Sequence, residues 1–491
     1  MKPYVLALDV GTSSLKSVVY DFNGKILASE SQSYEHKTPQ SGWAEADPTD
    51  WQKAMETCLT NLSKRTSLLQ QVEVIAFTGQ MHTAVLLDAD LKPLEPTILW
   101  LDRRSTAETL ELQTVFNLPP YQLNSTYTLP KLFWMKKHLP EVIQKAKHLL
   151  WPKDYLRFLL TGEIFTDVTE PGGASLLDWN TLSWARNRLE YIGMDPKILP
   201  PILQPDEEAG SLLPAFIERY QINPSAKVIA GAGDVLALIS GAPPEKGRLN
   251  CSLGSSSMIF TPLEINQNII DPKNRIYTYP LLQIPMLGGV SSTTGAALQW
   301  AWKNFYPDTS FNNTILEALE VNPGCDGLFF LPFLSGERSP FWNDALRGSF
   351  HGLSLAHSRP HFIRAVMEGV GLSLAYLIQI FEEMEVNINE IALAGGGTNT
   401  PGWAQMISDI CQLPVNVYTG QETVTHALFA YASLAMKDGR TFDEALHMTF
   451  EEPLRLLPDQ NNASIYEQVF NNYKLQAEFN QNQSVQERNI Q

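Results

Sequence analysis

The sequence predicts an α/β protein made of two similar lobes, on three observations. Short apolar runs ending in glycine-containing turns alternate with helix-length segments along most of the chain. A strand–glycine–hydroxyl–strand hairpin occurs once in each half. The 491 residues leave room for two large lobes with full cores. Residues 4–8 are a short apolar run, consistent with a buried strand that ends at Asp9. Gly11, Thr12, Ser13 and Ser14 make a polar turn, residues 15–20 resume as a strand, and a turn at 21–24 leads to a third strand at 25–33. The pattern returns at residues 249–253, Gly254-Ser255-Ser256-Ser257 and the strand 258–260. Aligning Gly11 with Gly254 gives an offset of 254 − 11 = 243, about half the chain, which suggests a duplicated lobe. Asp9 then aligns with Ser252, so only the first copy carries a carboxylate.

Between the hairpins, residues 74–77 form a buried strand before Thr78-Gly79-Gln80, and 228–230 form another that breaks at Gly231-Ala232-Gly233. Asp234 stands where an N-cap would, ahead of the apolar segment 235–239. Residues 241–247, rich in glycine and proline, are the best linker candidate. In the second half, residues 360–384 read as a long amphipathic helix. A strand at 391–394, the triple glycine Gly395-Gly396-Gly397 and a helix from about Pro401 follow. The expected domains are therefore 1–244 and 245–460. A polar, Gln/Asn-rich segment at 461–491 is read as a terminal helix fraying into disorder.

Composition narrows the function. Lys+Arg 36 against Asp+Glu 53 leaves a net charge of −17, which argues against a broad nucleic-acid or anionic-membrane surface. No apolar run approaches the ~18 residues that span a bilayer, and Asp9 interrupts the apolar stretch where a secretory signal would lie. Four scattered cysteines without a CxxC pair point to a reducing compartment, and the expected location is the cytoplasm. Walker-type GxxxxGK[ST], HExxH and GxSxG are absent, and Leu236 occupies the third small position of a dinucleotide fingerprint beginning at Gly231.

Backbone N–H groups and small hydroxyls in a glycine-containing hairpin can hold phosphate without a P-loop. Two such hairpins facing a cleft could hold a nucleotide's phosphate tail from both sides. Asp9 could orient Mg²⁺ directly or through its waters, or could simply cap the turn. Asp234 could take the proton of an acceptor hydroxyl, or could be a helix N-cap. The three glycines could let a flat base lie against the backbone, or only make a tight strand–helix turn. Gln80, Met81 and His82 follow a buried strand and could border a cleft, although a histidine there also suits a structural role. Glu337-Arg338 and Asp102-Arg103-Arg104 read most simply as intramolecular ion pairs.

Seven motifs in order then carry a resemblance: Asp9-Val-Gly-Thr-Ser-Ser14, Gly79-Gln-Met-His82, Leu99-Trp-Leu-Asp-Arg-Arg104, Pro152-Lys-Asp-Tyr-Leu-Arg157, Gly231-Ala-Gly-Asp234, Leu331-Pro-Phe-Leu-Ser-Gly-Glu-Arg338 and Leu393-Ala-Gly-Gly-Gly397. Over about residues 4–440 the chain resembles the FGGY family of carbohydrate kinases, and within it most of all the members that act on xylulose. The resemblance implies two ribonuclease-H-like lobes of the actin/Hsp70/hexokinase type with an interlobe cleft. It implies ATP and Mg²⁺ as cofactors, a small sugar as substrate, and a possible homodimer. By the same resemblance Asp9 helps hold Mg²⁺, and Gly11, Thr12, Ser13 and Ser14 meet the transferring phosphate. Gly254, Ser255 and Ser256 line the phosphates from the other side, and Gly395, Gly396, Gly397 and Asn399 pack on adenosine. Asp234 is the catalytic base, and Gln80, Met81, His82, Asp102, Arg104 and Asp234 border the sugar.

The implied reaction carries the γ-phosphate to a sugar hydroxyl, first of all converting D-xylulose to D-xylulose 5-phosphate. Gluconate, ribulose or L-xylulose as acceptor, and a non-catalytic actin-like nucleotide switch, are the alternatives. Glycerol is disfavoured, since glycerol-specific members carry Arg-Glu at Met81-His82 and Asp-Gln at Asp234-Val235. Leu101 and Val235 stand where the xylulose-specific members usually carry asparagine, which removes two polar partners for substrate hydroxyls. Thr425-His426 replaces a segment of small residues.

Overall fold

The computed structural model describes residues 3–179, 181–264, 267–419 and 424–488, and in it the chain divides into two compact units. The first runs to Leu236 and regains the segment from Val424 to Thr449; the second takes the remainder. A single cut at 244/245 does not describe this division. The expected linker at 241–247 lies inside the second unit, and the helix Thr425–Met436 returns to the first. There the Thr425 and Tyr20 hydroxyls are 2.7 Å apart, and Phe429 packs on the Tyr20 ring. The hydroxyl at 425 thus has a structural partner that no local pattern reveals.

The first unit is built on β1 (Tyr4–Val10), β2 (Ser14–Tyr20), β3 (Ile26–Ser33), β4 (Val72–Gly79), β5 (Glu208–Ser211) and β6 (Lys227–Ile229), in the order β5-β6-β4-β1-β2-β3. The first three strands are antiparallel as their turns predict, with β3 at the sheet edge, whereas β1, β4 and β6 run parallel. Val5, Leu6, Ala7 and Leu8 are fully buried, because a central strand covered on both faces is apolar on both. A second apolar core, around Leu86, Leu132, Leu149 and Trp151, lies under the segments inserted between β4 and β6.

The second unit repeats the plan with one strand more. Its strands are β7 (Arg248–Ser252), β8 (Ser257–Pro262), β9 (Tyr277–Tyr279), β10 (Met286–Ser291), β11 (Glu390–Ala394), β12 (Val415–Val417) and β13 (Leu454–Leu456), in the order β9-β10-β8-β7-β11-β12-β13. Again β7 and β8 form an antiparallel hairpin, while β7, β11 and β12 are parallel. The repeated hairpin therefore marks a repeated sheet.

One expectation is corrected here. The helix Arg359–Glu383 is not amphipathic in the ordinary sense. Buried residues occur on nearly every turn and face, from Ile363 to Phe381, since the helix runs through the core of the second unit. By length and composition alone it could cross a membrane, but 89% of its most apolar stretch is buried inside the protein. The C-terminal segment forms the helix Ala463–Arg488, in line with the terminal helix read from the sequence, and the fraying end expected beyond it falls on residues 489–491, outside the described part. Tyr466 and Tyr473 anchor it in the core, each 1% exposed. The Tyr466 hydroxyl donates to Glu368 Oε1 (3.0 Å) and accepts from Arg364 (3.3 Å). Tyr466→Phe leaves that buried pair short of a partner and is expected to cost about 1–3 kcal/mol in denaturant unfolding; an unchanged midpoint would refute the anchoring role.

Candidate active site

Parallel strands deliver their C-terminal ends to one edge of a sheet, where open α/β sheets bind ligands. In the first unit, β1 carries Asp9 just before its last residue and leads to the Gly11–Ser14 turn, β4 leads to Gln80-Met81-His82, and β6 leads to Gly231–Asp234. Residues from three distant parts of the sequence thus meet at one edge. The Gly11 carbonyl accepts from the Tyr34 hydroxyl (2.6 Å) and from Gln80 Nε2 (3.2 Å), which fixes the turn against β3 and β4. Thr12 Oγ1 accepts from the Trp100 indole at 2.9 Å, while Ser13 is exposed and Ser14 opens β2.

Small residues make room for Met81. A Cβ at Gly233 would stand 2.5 Å from Met81 Cγ, and one at Gly173 would stand 2.6 Å from Met81 Cε. His82 has a left-handed backbone (φ 68°); its Nδ1 lies 2.5 Å from the Gly173 carbonyl oxygen, and its ring stacks on Tyr127.

Asp234 is the first residue of the 3₁₀ turn Asp234–Leu236, with the short helix Ala237–Ser240 next in the chain. Its carboxylate accepts from backbone N–H groups, including that of Met81. Burial, followed by the charge of Asp9, pushes its pKa up to about 7. Two carboxyls therefore share one sheet edge. Asp9 is half-buried and pairs with Lys16 in the β1–β2 register.

Asp102 and Arg104 do form the ion pair that the sequence suggests, at 2.7 Å, and it is deeply buried. Asp102 also accepts from the Ala44 N–H (2.6 Å), while Arg104 reaches Glu45 and lies 3.6 Å over the Trp43 ring. Glu337 feels the Arg338 charge and takes further partners besides. It accepts from the backbone N–H groups of Ser292 (2.6 Å) and Arg338 (2.8 Å) and from the Ser291 hydroxyl (3.1 Å), and burial pushes its pKa up to about 7.

In the second unit the same sheet edge carries the Gly254–Ser256 turn after β7 and the glycines after β11. Ser252, aligned with Asp9, accepts from the Met258 N–H at 2.9 Å and so closes its own hairpin. The helix Gly295–Phe305 grips the turn: Gly254 O accepts from Gly295 N and Thr294 Oγ1, both at 2.8 Å, and Ser255 O accepts from Thr294 N at 2.9 Å. Gly397 donates to Leu253 O at 2.8 Å, and a Cβ there would meet the Leu253 side chain at 2.6 Å. Gly395 is half-buried with φ 92°, whereas Gly396 and Asn399 are exposed and Gly396 has open space at its Cβ position. Backbone and small side chains thus present an accessible rim beside the hairpin.

Sequence reasoning missed Thr294 and Gly295, although Thr-Thr-Gly before a helical run was a visible helix-start signal. It also missed Thr169 and Asp167, which lie in a short segment without clear periodicity. Lys153 and Asp154 were noticed only as parts of a motif.

Duplicated α/β units with glycine–hydroxyl turns at both parallel-strand edges, and a raised carboxyl at one of them, define a kinase of the actin/hexokinase/Hsp70 ribonuclease-H-like class. Residues 4–241 match the N-terminal domain and 249–433 the C-terminal domain of the FGGY family of carbohydrate kinases. The chain belongs to that family and is an ATP-dependent sugar kinase. Among its relatives, xylulose kinase of Bacillus subtilis is 30% identical over 479 residues, 96% of each chain. Xylulose kinase of Lactococcus lactis is 32% identical over 489 residues, again 96% of each. A crystal structure of gluconate kinase from Lactobacillus acidophilus superposes with a TM-score of 0.89 at 26% identity, covering 98% of this chain and 99% of the other.

Proposed function

We propose that the chain phosphorylates D-xylulose to D-xylulose 5-phosphate, with Asp234 as the base for the sugar hydroxyl. The observation that supports this most is the Asp234 carboxyl itself, set at the parallel-strand edge beside Gln80, Met81 and Asp9. A hydroxyl is a poor nucleophile until a positioned base removes its proton, and a base near 7 combines sufficient basicity with a substantial ionised fraction at neutral pH. In this reading Gln80, Met81 and His82 border the sugar. Asp102 and Arg104 shape the wall behind it, since their charges are already taken up by each other, Glu45 and the Ala44 amide. The Gly11–Ser14 and Gly254–Ser256 turns contact ATP phosphates, and Gly395–Gly397 with Asn399 pack on adenosine.

The carboxylates fit Mg²⁺ arriving with ATP. Among the described residues no three His, Cys, Asp or Glu side chains converge as a metal cage. Mg²⁺ needs none, because it keeps several waters and takes one or two carboxylates plus substrate phosphates. Asp9 would hold it, and the ion would supply charge neutralisation on the phosphates.

Gluconate is the second acceptor to weigh. Val235 (8% exposed) and the half-buried Leu101 offer no hydrogen bonds, and the gluconate kinase likeness spans nearly the whole chain. ADP release from Mg-ATP, measured with D-xylulose, D-ribulose, L-xylulose, L-ribulose, gluconate, glycerol or no acceptor, separates the readings. Strong stimulation by D-xylulose supports the proposal. Stimulation by gluconate alone would move the acceptor and keep the base.

The pH profile tests the base independently. A base must be ionised, so kcat/KM is expected to rise with pH through about 7 and level off above it, as the free enzyme's Asp234 titrates. Activity at pH 6 should be roughly a tenth of the plateau. A profile flat from pH 5.5 to 8 would contradict the assignment.

A further inference from the structure

The turn that presents Asp234 is anchored at both ends by one buried polar network within the first unit. Lys153, on the helix Pro152–Thr161, has no exposed surface, and its Nζ lies 2.5 Å from Asp154 Oδ1 and 2.5 Å from Asp167 Oδ2. Arg157, one helical turn on, reaches Asp154 Oδ1 at 3.0 Å and donates to the Ala230 carbonyl at 2.9 Å. Lys153 and Arg157 thus face Asp154 and Asp167, and burial of such charges is tolerable only because each is paired. The neighbouring Glu170, also fully buried, lies 3.9 Å from Lys153 Nζ, makes no hydrogen bond among the described residues, and burial pushes its pKa well above the usual carboxylate range.

Asp167 passes this order outward. Its Oδ1 accepts both the N–H (2.7 Å) and the hydroxyl of Thr169. A hydroxyl has one proton, and giving it to a carboxylate leaves only lone pairs for other neighbours. The Thr169 oxygen uses one to accept the Gly233 N–H at 2.9 Å. Arg157 therefore holds the carbonyl that enters the Gly231–Gly233 turn, and Thr169 holds the amide that leaves it, directly before Asp234.

We propose that Thr169, oriented by the Lys153–Asp167 pair, is a positioning residue for phosphoryl transfer: it fixes the Gly233 amide and thereby the aim of the Asp234 carboxylate. This rests on the reading of Asp234 as base. Misaiming a base lowers the rate of the chemical step more than it weakens ground-state binding.

The test uses the full chain and the acceptor that most accelerates ADP formation in the panel above. Thr169→Val, which removes the hydroxyl, is expected to lower kcat about 10- to 30-fold while KM for ATP stays within about twofold. Thr169→Ser, which keeps the hydroxyl, should recover kcat to within about threefold of wild type. Hydrogen exchange in the peptide spanning 230–236 should accelerate in the valine variant and not in the serine variant, a readout that needs no acceptor. If the valine variant does not fold, Thr169→Ala carries the same comparison. An unchanged kcat in the valine or alanine variant, or a serine variant no better than either, overturns the proposal. Near-normal turnover by Asp234→Asn would instead show that the base assignment has failed.

Discussion

Asp234→Asn is expected to lower kcat by about 10²- to 10⁴-fold, the range typical of removing a general base, and at the same time to raise stability. Asparagine keeps the shape of aspartate and can still accept the Met81 N–H, so binding of ATP should change little. The stabilisation follows from the raised pKa. An aspartate that titrates near 3.9 when unfolded and near 7 when folded binds its proton more tightly in the native state. Its ionisation therefore begins to penalise folding above about pH 4, and the penalty is complete above about pH 7. Removing it should raise stability at pH 8 by about 1–3 kcal/mol, with the gain shrinking as pH falls towards 4. Turnover assays and thermal or denaturant unfolding at both pH values check the two halves separately. Near-normal turnover would end the base assignment; lost turnover without stabilisation would leave the base in place and remove the claim that its environment is costly to the fold.

The second large effect is expected at Gly231. Its backbone is left-handed (φ 66°), and a Cβ there would stand 1.8 Å from the carbonyl oxygen of Phe77 in β4. The obstacle is backbone in the middle of a parallel sheet and cannot swing aside as a side chain does. Gly231→Ala thus combines left-handed strain of about 1–2 kcal/mol with overpacking of about 1–3 kcal/mol or more, and is expected to lose about 3–5 kcal/mol in denaturant unfolding. The same shift would move the Asp234 turn, so residual folded enzyme should also turn over slowly. A midpoint close to wild type would show that the β4–β6 approach can relax. Gly233→Ala should be milder, because its obstacle is the flexible Met81 side chain rather than backbone.

These effects separate what local sequence carries from what it does not. The hairpins around Gly11 and Gly254 were legible because strand alternation and turn chemistry act over a few residues. The duplication followed from their recurrence at an offset of 243. The ends of β4, β6 and β11 could be found as apolar runs breaking at glycine. By contrast, nothing near Glu337 in sequence reveals that it also accepts hydrogen bonds from the Ser291–Ser292 segment. The helix Ala463–Arg488 was legible as a polar terminal helix, but not its anchoring: Tyr466, Tyr473 and Ala477 fall on one face and find a core only in the folded unit.

The sequence by itself determined the two α/β lobes, the glycine–hydroxyl turns, the candidate carboxylates Asp9 and Asp234, and the sugar kinase family, because each is written in short contiguous motifs. Only the tertiary structure decided that Thr425–Met436 returns to the first unit, that Lys153, Asp167 and Thr169 stand behind the Asp234 turn, and that Asp234 is a weak acid. Burial and charge proximity are properties of residues far apart in sequence, and they come into being when the parallel strands bring those residues to one edge.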